Sequence, residues 1–499
     1  MAIDDVTRDE GGRGALPLWS GLAMLVAVAH AASLLGTGPV DDDYVVYRYA
    51  AHWLDGHGLV FNVGDPAVEG ATSPLWLAVC GVGVWLGIDP AVWSPAIGIL
   101  SVAVLVVAVG RCAQRLFVGP IAALAPWLVA LSPAVAWHAN AGLGTVPTAA
   151  AVAIGVERLG RWSASGSRAA LLAGSVAFSI AVALRAEVAV VWIAWGLARL
   201  PRRGELAIAA LPAVVLLVTT AVRWGIYGTL LPHAYYVKTL PLAVELEYGA
   251  RYLVRSGGEG GLALLLLLGA FVPRDRAVLR AIGIGAVLAL IQVLVVGGDW
   301  MVYGRFLVPY AALAALAATA SIAALGSARA RVAASGAAVA LTLGGLVARP
   351  QAVFEAHFFE DWWRTVGSAL RDGAPEGARV AISPIGAFGW SSRLPVVDVL
   401  GLTHDAFLDV DPDLEGVGVK GHHRHDGAWV LDQEPDYLLL GNAVLQPGGS
   451  LDVNPWEADV IGDERFARDY VARSLTLERQ DGSLQVLPYH ARRGAPPLR

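Results

Sequence analysis

Lysine is nearly absent from this chain: Lys238 and Lys420 are the only two among 36 basic residues. Cysteine is equally scarce, and Cys80 and Cys112 both lie in or beside apolar segments. That excludes a disulfide framework and a cysteine zinc site, and leaves the two thiols as small buried hydrophobes. Charge is thin as well, at 16% of 499 residues against 56% hydrophobic, too little to coat a soluble globule. There is no basic patch of the nucleic-acid-binding kind. No P-loop, GxSxG or HExxH pattern occurs, so conventional ATPase, serine hydrolase and zincin chemistry lose their main support. No internal repeat of fixed period is visible, and the net charge of −6 says little about partners when most charges lie on loops.

What is present is a series of apolar runs near the length that crosses about 30 Å of hydrocarbon. They fall at roughly 16–36, 91–110, 118–136, 145–158, 169–184, 187–199, 205–222, 260–273, 278–297, 304–325 and 331–348. The expectation is an all-α polytopic membrane protein of about eleven spans. The first run follows Arg8 and Arg13 as a signal peptide would, but it is longer than such a segment and leads into "GTGPVDDD" instead of a cleavage site, so it reads as a retained span.

The short stretch "SPLWLAVCGVGVWLGI" (73–88) is settled by charge. If it does not cross, the arginine-bearing loops at 111–115, 158–168, 199–203, 274–280 and 329–331 share a side with Arg8 and Arg13, as the positive-inside rule requires. It is therefore expected to be a re-entrant or interfacial helix, with the N-terminus cytoplasmic and everything after 349 outside. Residues 1–348 then form a transmembrane domain with a first outer loop at 37–90. Residues 349–499, with an amphipathic helix at 358–373 and strand-like runs at 379–384, 394–401 and 436–442, form a small extracytoplasmic α/β domain.

In this register the polar, ionisable segments converge on the outer face, which marks a site. "DDDYVVYRYA" (41–50) carries Asp41, Asp42 and Asp43, more acid than a helix start needs, followed by Tyr44, Tyr47, Arg48 and Tyr49, an aromatic and cationic face suited to headgroup depth. "GGDWMVYGR" (297–305) offers Asp299 and Arg305 as a second acid and a phosphate partner. Arg185 and Glu187 lie between two spans and have each other as the simplest partners. Lys238 stands out because lysine is so rare. "GHHRHD" (421–426) lacks the spacing of a metal site and reads as a solvated loop.

These residues resemble the GT-C membrane glycosyltransferases, in the branch that includes the actinobacterial terminal β-(1→2)-arabinofuranosyltransferase of cell-wall arabinan. The stretch "DDDYVVYRYAAHWLDGHGLVFNVGDPAVEGATSPLW" matches the pattern of that branch at Arg48, Tyr49, Gly56, Gly58, Phe61, Asn62, Glu69, Gly70, Thr72 and Trp76, and the likeness continues through "LPHAYYVKT", "GGDWMVYGRFLVP" and "SRLPVVDVLGLTH". Two departures stand out: "AGLGT" has Gly144 where the family reads Glu, and "RAE" replaces R-P-E.

The resemblance implies an inverting transferase of the plasma membrane that takes a sugar from a polyprenyl-phosphate donor and passes it to a cell-envelope glycan outside the cell. Arabinofuranosyl is the first choice of sugar and a mannosyl or other hexosyl group the alternative. It makes Asp41 the expected base and Asp42 its partner, sharing either a proton or a divalent cation, with Asp43 a helix-start residue in a variable slot. Arg48, Tyr49, Glu69, Arg185, Glu187, His233, Lys238, Asp299 and Arg305 are the expected donor-phosphate and substrate contacts. No cofactor beyond the lipid-linked sugar is firmly implied. A lipid-sugar transporter or a non-catalytic relative are the rivals. The Arg-rich, Ala- and Gly-rich composition fits a high-GC source such as an actinobacterium.

Overall fold

The computed structural model describes residues 17–348, 350–415, 418–441, 453–479 and 481–498, with the backbone alone for 348 and 350–357. Arg8 and Arg13 lie outside the described residues.

The chain is mostly helical, with a small sheet near its C-terminus. Three helices are long and apolar enough to cross a membrane, Pro90–Leu116, Ala277–Val296 and Ala328–Val347; three bent helix pairs raise the number to six. The remaining apolar helices are shorter, so length and composition do not establish the expected eleven crossings. The helix Pro74–Trp85, with 12 residues, is about 18 Å long, well short of the hydrocarbon core. The expected span at 145–158 is part of a longer helix, Thr145–Ser165, whose inner part buries Glu157 against Arg115 and Arg158. The expected span at 260–273 joins the helix Leu242–Gly258 in a pair bent by 105°.

Beyond residue 373 the expected strands appear in shortened form as β1 (Val380–Ile382), β2 (Val396–Asp398) and β3 (Tyr437–Leu439). A hairpin, β4 (Tyr470–Glu478) and β5 (Leu484–Arg492), completes a five-stranded sheet of order β2-β1-β3-β5-β4. The first three strands run parallel and the hairpin antiparallel. The hairpin was not foreseen; its signal is the Asp481-Gly482 pair between two runs of β-prone residues.

The boundary at 349 does not separate two cores. Tyr44, Tyr47, Tyr49, Phe61 and Trp76 of the first loop share one hydrophobic cluster with Trp362, Trp363, Phe388 and Val396 of the C-terminal region. Each such side chain, once buried, contributes about 1.5–3 kcal/mol, so the first loop and the C-terminal region stand or fall together.

Candidate active site

The acid run opens the helix Asp41–Leu54. Successive residues on an α-helix point about 100° apart, so three adjacent acids face three different ways. Each meets a different environment.

Asp41 points at the N-terminus of the helix Ile385–Ser392, where the N–H groups of Gly386 and Ala387 donate to its two carboxylate oxygens at 2.9 and 2.7 Å. Its own N–H donates to Glu360 Oε1 at 3.2 Å. Gly386 makes the approach feasible, since a Cβ there would lie 1.9 Å from the Asp41 carbonyl oxygen. Burial outweighs those two hydrogen bonds and raises the Asp41 carboxyl to about 7. The Glu360 carboxyl is raised well above its ordinary range by burial and then by Asp41.

Asp43 is fully buried. It accepts from Trp76 Nε1 and the Leu143 N–H, both at 2.7 Å, and from Ser94 Oγ at 2.6 Å. Burial raises it to about 6 against those hydrogen bonds. Far from a free helix-start residue, Asp43 ties three segments together.

Asp42 alone is left open. Its side chain is 29% exposed and lies 3.6 Å from Arg305 Nη1, and Arg305 Nε in turn lies 2.6 Å from Asp299 Oδ2. Arg185 joins the same group: its guanidinium and that of Arg305 sit 5.4 and 5.1 Å from the centre of the Phe306 ring. Arg185 also pairs with Glu187 at 2.6 Å. Asp42, Asp299, Arg305, Arg185 and Glu187 are thus brought together.

Lys238 lies beside Gly421 and His422. Its ammonium has no hydrogen-bond or ion-pair partner among the described residues, and its stem packs on Gly421, where a Cβ would lie 3.1 Å from Lys238 Cδ. The next residue, His422, stacks on Trp456 with ring centres 4.5 Å apart. Asp42 and Lys238 both act electrostatically on His422, whose ring is lowered to about 4 by burial and then by Lys238, so it is neutral at pH 7. His422 is thus partly buried against Trp456, in contrast to the expected solvated loop. His423 is buried with Nδ1 2.7 Å from the Asp413 carbonyl, and His425 Nδ1 lies 2.7 Å from Asp459. Nothing in the local spacing betrays this, because the Trp456 contact comes from far along the chain.

Other expected substrate contacts are structural in this arrangement. Arg48 is buried and donates to the carbonyls of Phe61 (2.7 Å), Leu394 (2.8 Å) and Gly389 and to Asn62 Oδ1 (3.0 Å), so its donors are committed to the seam and not to a phosphate. Asn62 bonds both the N–H and the carbonyl of Val396. The Tyr49 hydroxyl donates to the Val68 carbonyl at 2.6 Å. Glu69 pairs with Arg223 at 2.7 Å, both buried. His233 is buried with Nε2 2.9 Å from the Gly401 carbonyl and Nδ1 3.3 Å from Asp405.

Each Asp41 oxygen accepts one backbone N–H. Among the described residues no three His, Cys, Asp or Glu side chains gather as a metal cluster. Gly144 sits in the left-handed region (φ +63°), and a Cβ there would lie 3.2 Å from the Trp76 ring. An acid at that position needs a different backbone as well as a different side chain.

A family model described as a domain of unknown function, DUF8728, matches residues 352–486. No curated protein sequence matches the chain. Among solved structures, ArnT from Cupriavidus metallidurans with undecaprenyl phosphate bound superposes with a TM-score of 0.52 at 13% identity, covering 76% of this chain and 85% of that one. Weaker likenesses are to the oligosaccharyltransferase AglB from Archaeoglobus fulgidus in complex with an inhibitory peptide and a dolichol-phosphate (TM-score 0.47, 11% identity, 94% and 74% covered) and to the arabinofuranosyltransferase AftD from mycobacteria (0.45, 15%, 95% and 41%). At such identity the likeness to ArnT speaks to architecture. The chain shares the overall fold of that structure.

Proposed function

We propose that this protein transfers a sugar, with inversion, from a polyprenyl-phosphate donor to a cell-envelope glycan, and that Asp42 is the general base. The observation that carries the assignment is the difference within the acid run: Asp41 and Asp43 have both oxygens committed to donors, while Asp42 is half-open beside Arg305. In the reaction the acceptor hydroxyl oxygen attacks the anomeric carbon as the bond to the phosphate oxygen breaks. Asp42 takes the hydroxyl proton, and the electron pair of the broken bond stays on the lipid phosphate. Arg305, Arg185 and Lys238 supply the positive charge that the departing phosphate needs. His422, neutral and within electrostatic reach of Asp42 and Lys238, is the hydrogen-bond partner proposed for the sugar or the phosphate. Undecaprenyl phosphate in ArnT supports this donor class.

Arabinofuranosyl is the preferred sugar and a mannosyl or other hexosyl group the alternative, since the residues around Asp42 read the phosphate and the hydroxyl more than the ring. The proposal includes the topology of eleven spans, a cytoplasmic N-terminus and an extracytoplasmic site in the plasma membrane of an actinobacterium-like cell. The test is transfer by membranes bearing the wild type or Asp42→Asn, offered a panel of radiolabelled polyprenyl-phosphate sugars and an envelope glycan. Transfer from one donor, falling about 10²–10⁴-fold in the variant, is expected. No transfer from any donor would turn the assignment toward a transporter or binding relative.

A further inference from the structure

A cleft lies on the far side of Arg305 and Asp299 from Asp42. It has a volume of about 350 Å³ and runs between the helix Leu242–Gly258, the loop Gly297–Trp300 and the segment Gly418–Lys420 of the C-terminal region. Its size falls in the range of small-ligand sites. Asp299 is the shared wall, pairing with Arg305 on one side and lining the cleft on the other.

The wall is held rigidly. The Arg255 guanidinium donates to the carbonyls of Asp299, Trp300 and Met301 at 3.1, 3.2 and 2.7 Å, and Lys420 bonds Glu245 and the Lys238 carbonyl beneath. The rim, in contrast, is open. Trp300 is 41% exposed, and Arg251, whose side chain is 70% exposed, pairs among the described residues with Glu247, itself 59% exposed and one helical turn away. A solvated pair of that kind is worth little and gives way readily to a ligand. An exposed indole beside charged and hydroxyl groups, on a floor fixed by backbone carbonyls, offers a flat apolar platform with polar groups around it. That is the chemistry of a sugar ring, apolar on its C–H face and polar around its edge.

We propose that this cleft binds the saccharide acceptor, with Trp300 as the stacking platform and Arg251 and Tyr248 as edge hydrogen-bond partners, so that the acceptor hydroxyl passes Asp299 and reaches Asp42. This rests on the transferase reading for the identity of the ligand as acceptor, but binding itself needs no donor and no turnover. The experiment is isothermal calorimetry on the purified full chain with soluble arabinofuranose, mannose and glucose tetrasaccharides, and with farnesyl phosphate as a counter-probe. At least one tetrasaccharide is expected to bind the wild type. It should bind at least tenfold more weakly to Trp300→Ala and to Arg251→Ala, with farnesyl phosphate binding unaffected by either change. The proposal is overturned if none of the tetrasaccharides binds, if binding survives both rim variants undiminished, or if the rim variants instead abolish farnesyl phosphate binding. Loss of the transferase reading shows up separately, as no transfer from any polyprenyl-phosphate sugar by the wild type.

Discussion

The helix Asp41–Leu54 has faces that do opposite things. One carries Asp41 and Arg48, seven residues apart and so in line, and both are consumed in holding the helix Ile385–Ser392. A second carries Asp43 and Tyr47, four apart, which meet at Ser94. The direction left over belongs to Asp42, which faces Arg305 and open space. Carboxylates that are buried with a donor on each oxygen stabilise an assembly but are closed off from an incoming substrate. The comparison teaches that, in an acid-rich motif, chemistry falls to the member the fold leaves unfinished.

The contrast can be broken first at the seam. Asp43→Ala leaves Trp76, Ser94 and the Leu143 N–H without their acceptor in a buried place, and Arg48→Ala strands three carbonyls and Asn62. Each stranded polar group costs about 1–3 kcal/mol, so both variants should lose most of their folded protein, read as protease sensitivity of the C-terminal region in membranes. Folded protein at wild-type levels would show that the seam does not carry the structure.

On the open side, Lys238→Met removes a charge without a partner among the described residues, so folding should be unchanged. The donor KM should rise about tenfold, the scale of one charge-assisted phosphate contact. An unchanged KM would remove Lys238 from the donor site.

The smallest effect concerns pH. The Asp41 carboxyl, raised from an ordinary 3.8 to about 7, is protonated in the folded protein over a range where the unfolded chain has lost the proton. The folded state binds more protons there, so this group favours folding most below pH 4 and that contribution is lost as pH rises toward 7. Thermal stability of Asp41→Asn should therefore fall less steeply than that of the wild type between pH 4 and 7. Equal slopes would show that Asp41 is not held protonated.

Much of this was legible in the residues. Apolar runs announced the long apolar helices, and the change beyond residue 350 announced the small sheet. The match to an Asp-Asp pattern makes Asp41 the expected base, while the structure leaves Asp42 the more exposed of the three acids. Helical phase was available as a corrective: Asp41 shares its face with Arg48. The commitments of Arg48, Tyr49 and His233, and the recruitment of His422, rest on partners up to 346 residues away and could not be read locally.

The most direct measurement compares Asp41→Asn with Asp42→Asn, each assayed for sugar transfer from its polyprenyl-phosphate donor and normalised to the amount of folded protein in the membrane. The account predicts that Asp42→Asn is folded and at least a hundredfold slower, while Asp41→Asn is less abundant yet transfers at near wild-type rate per folded molecule. A fully folded Asp41→Asn without transfer, beside an active Asp42→Asn, would contradict it.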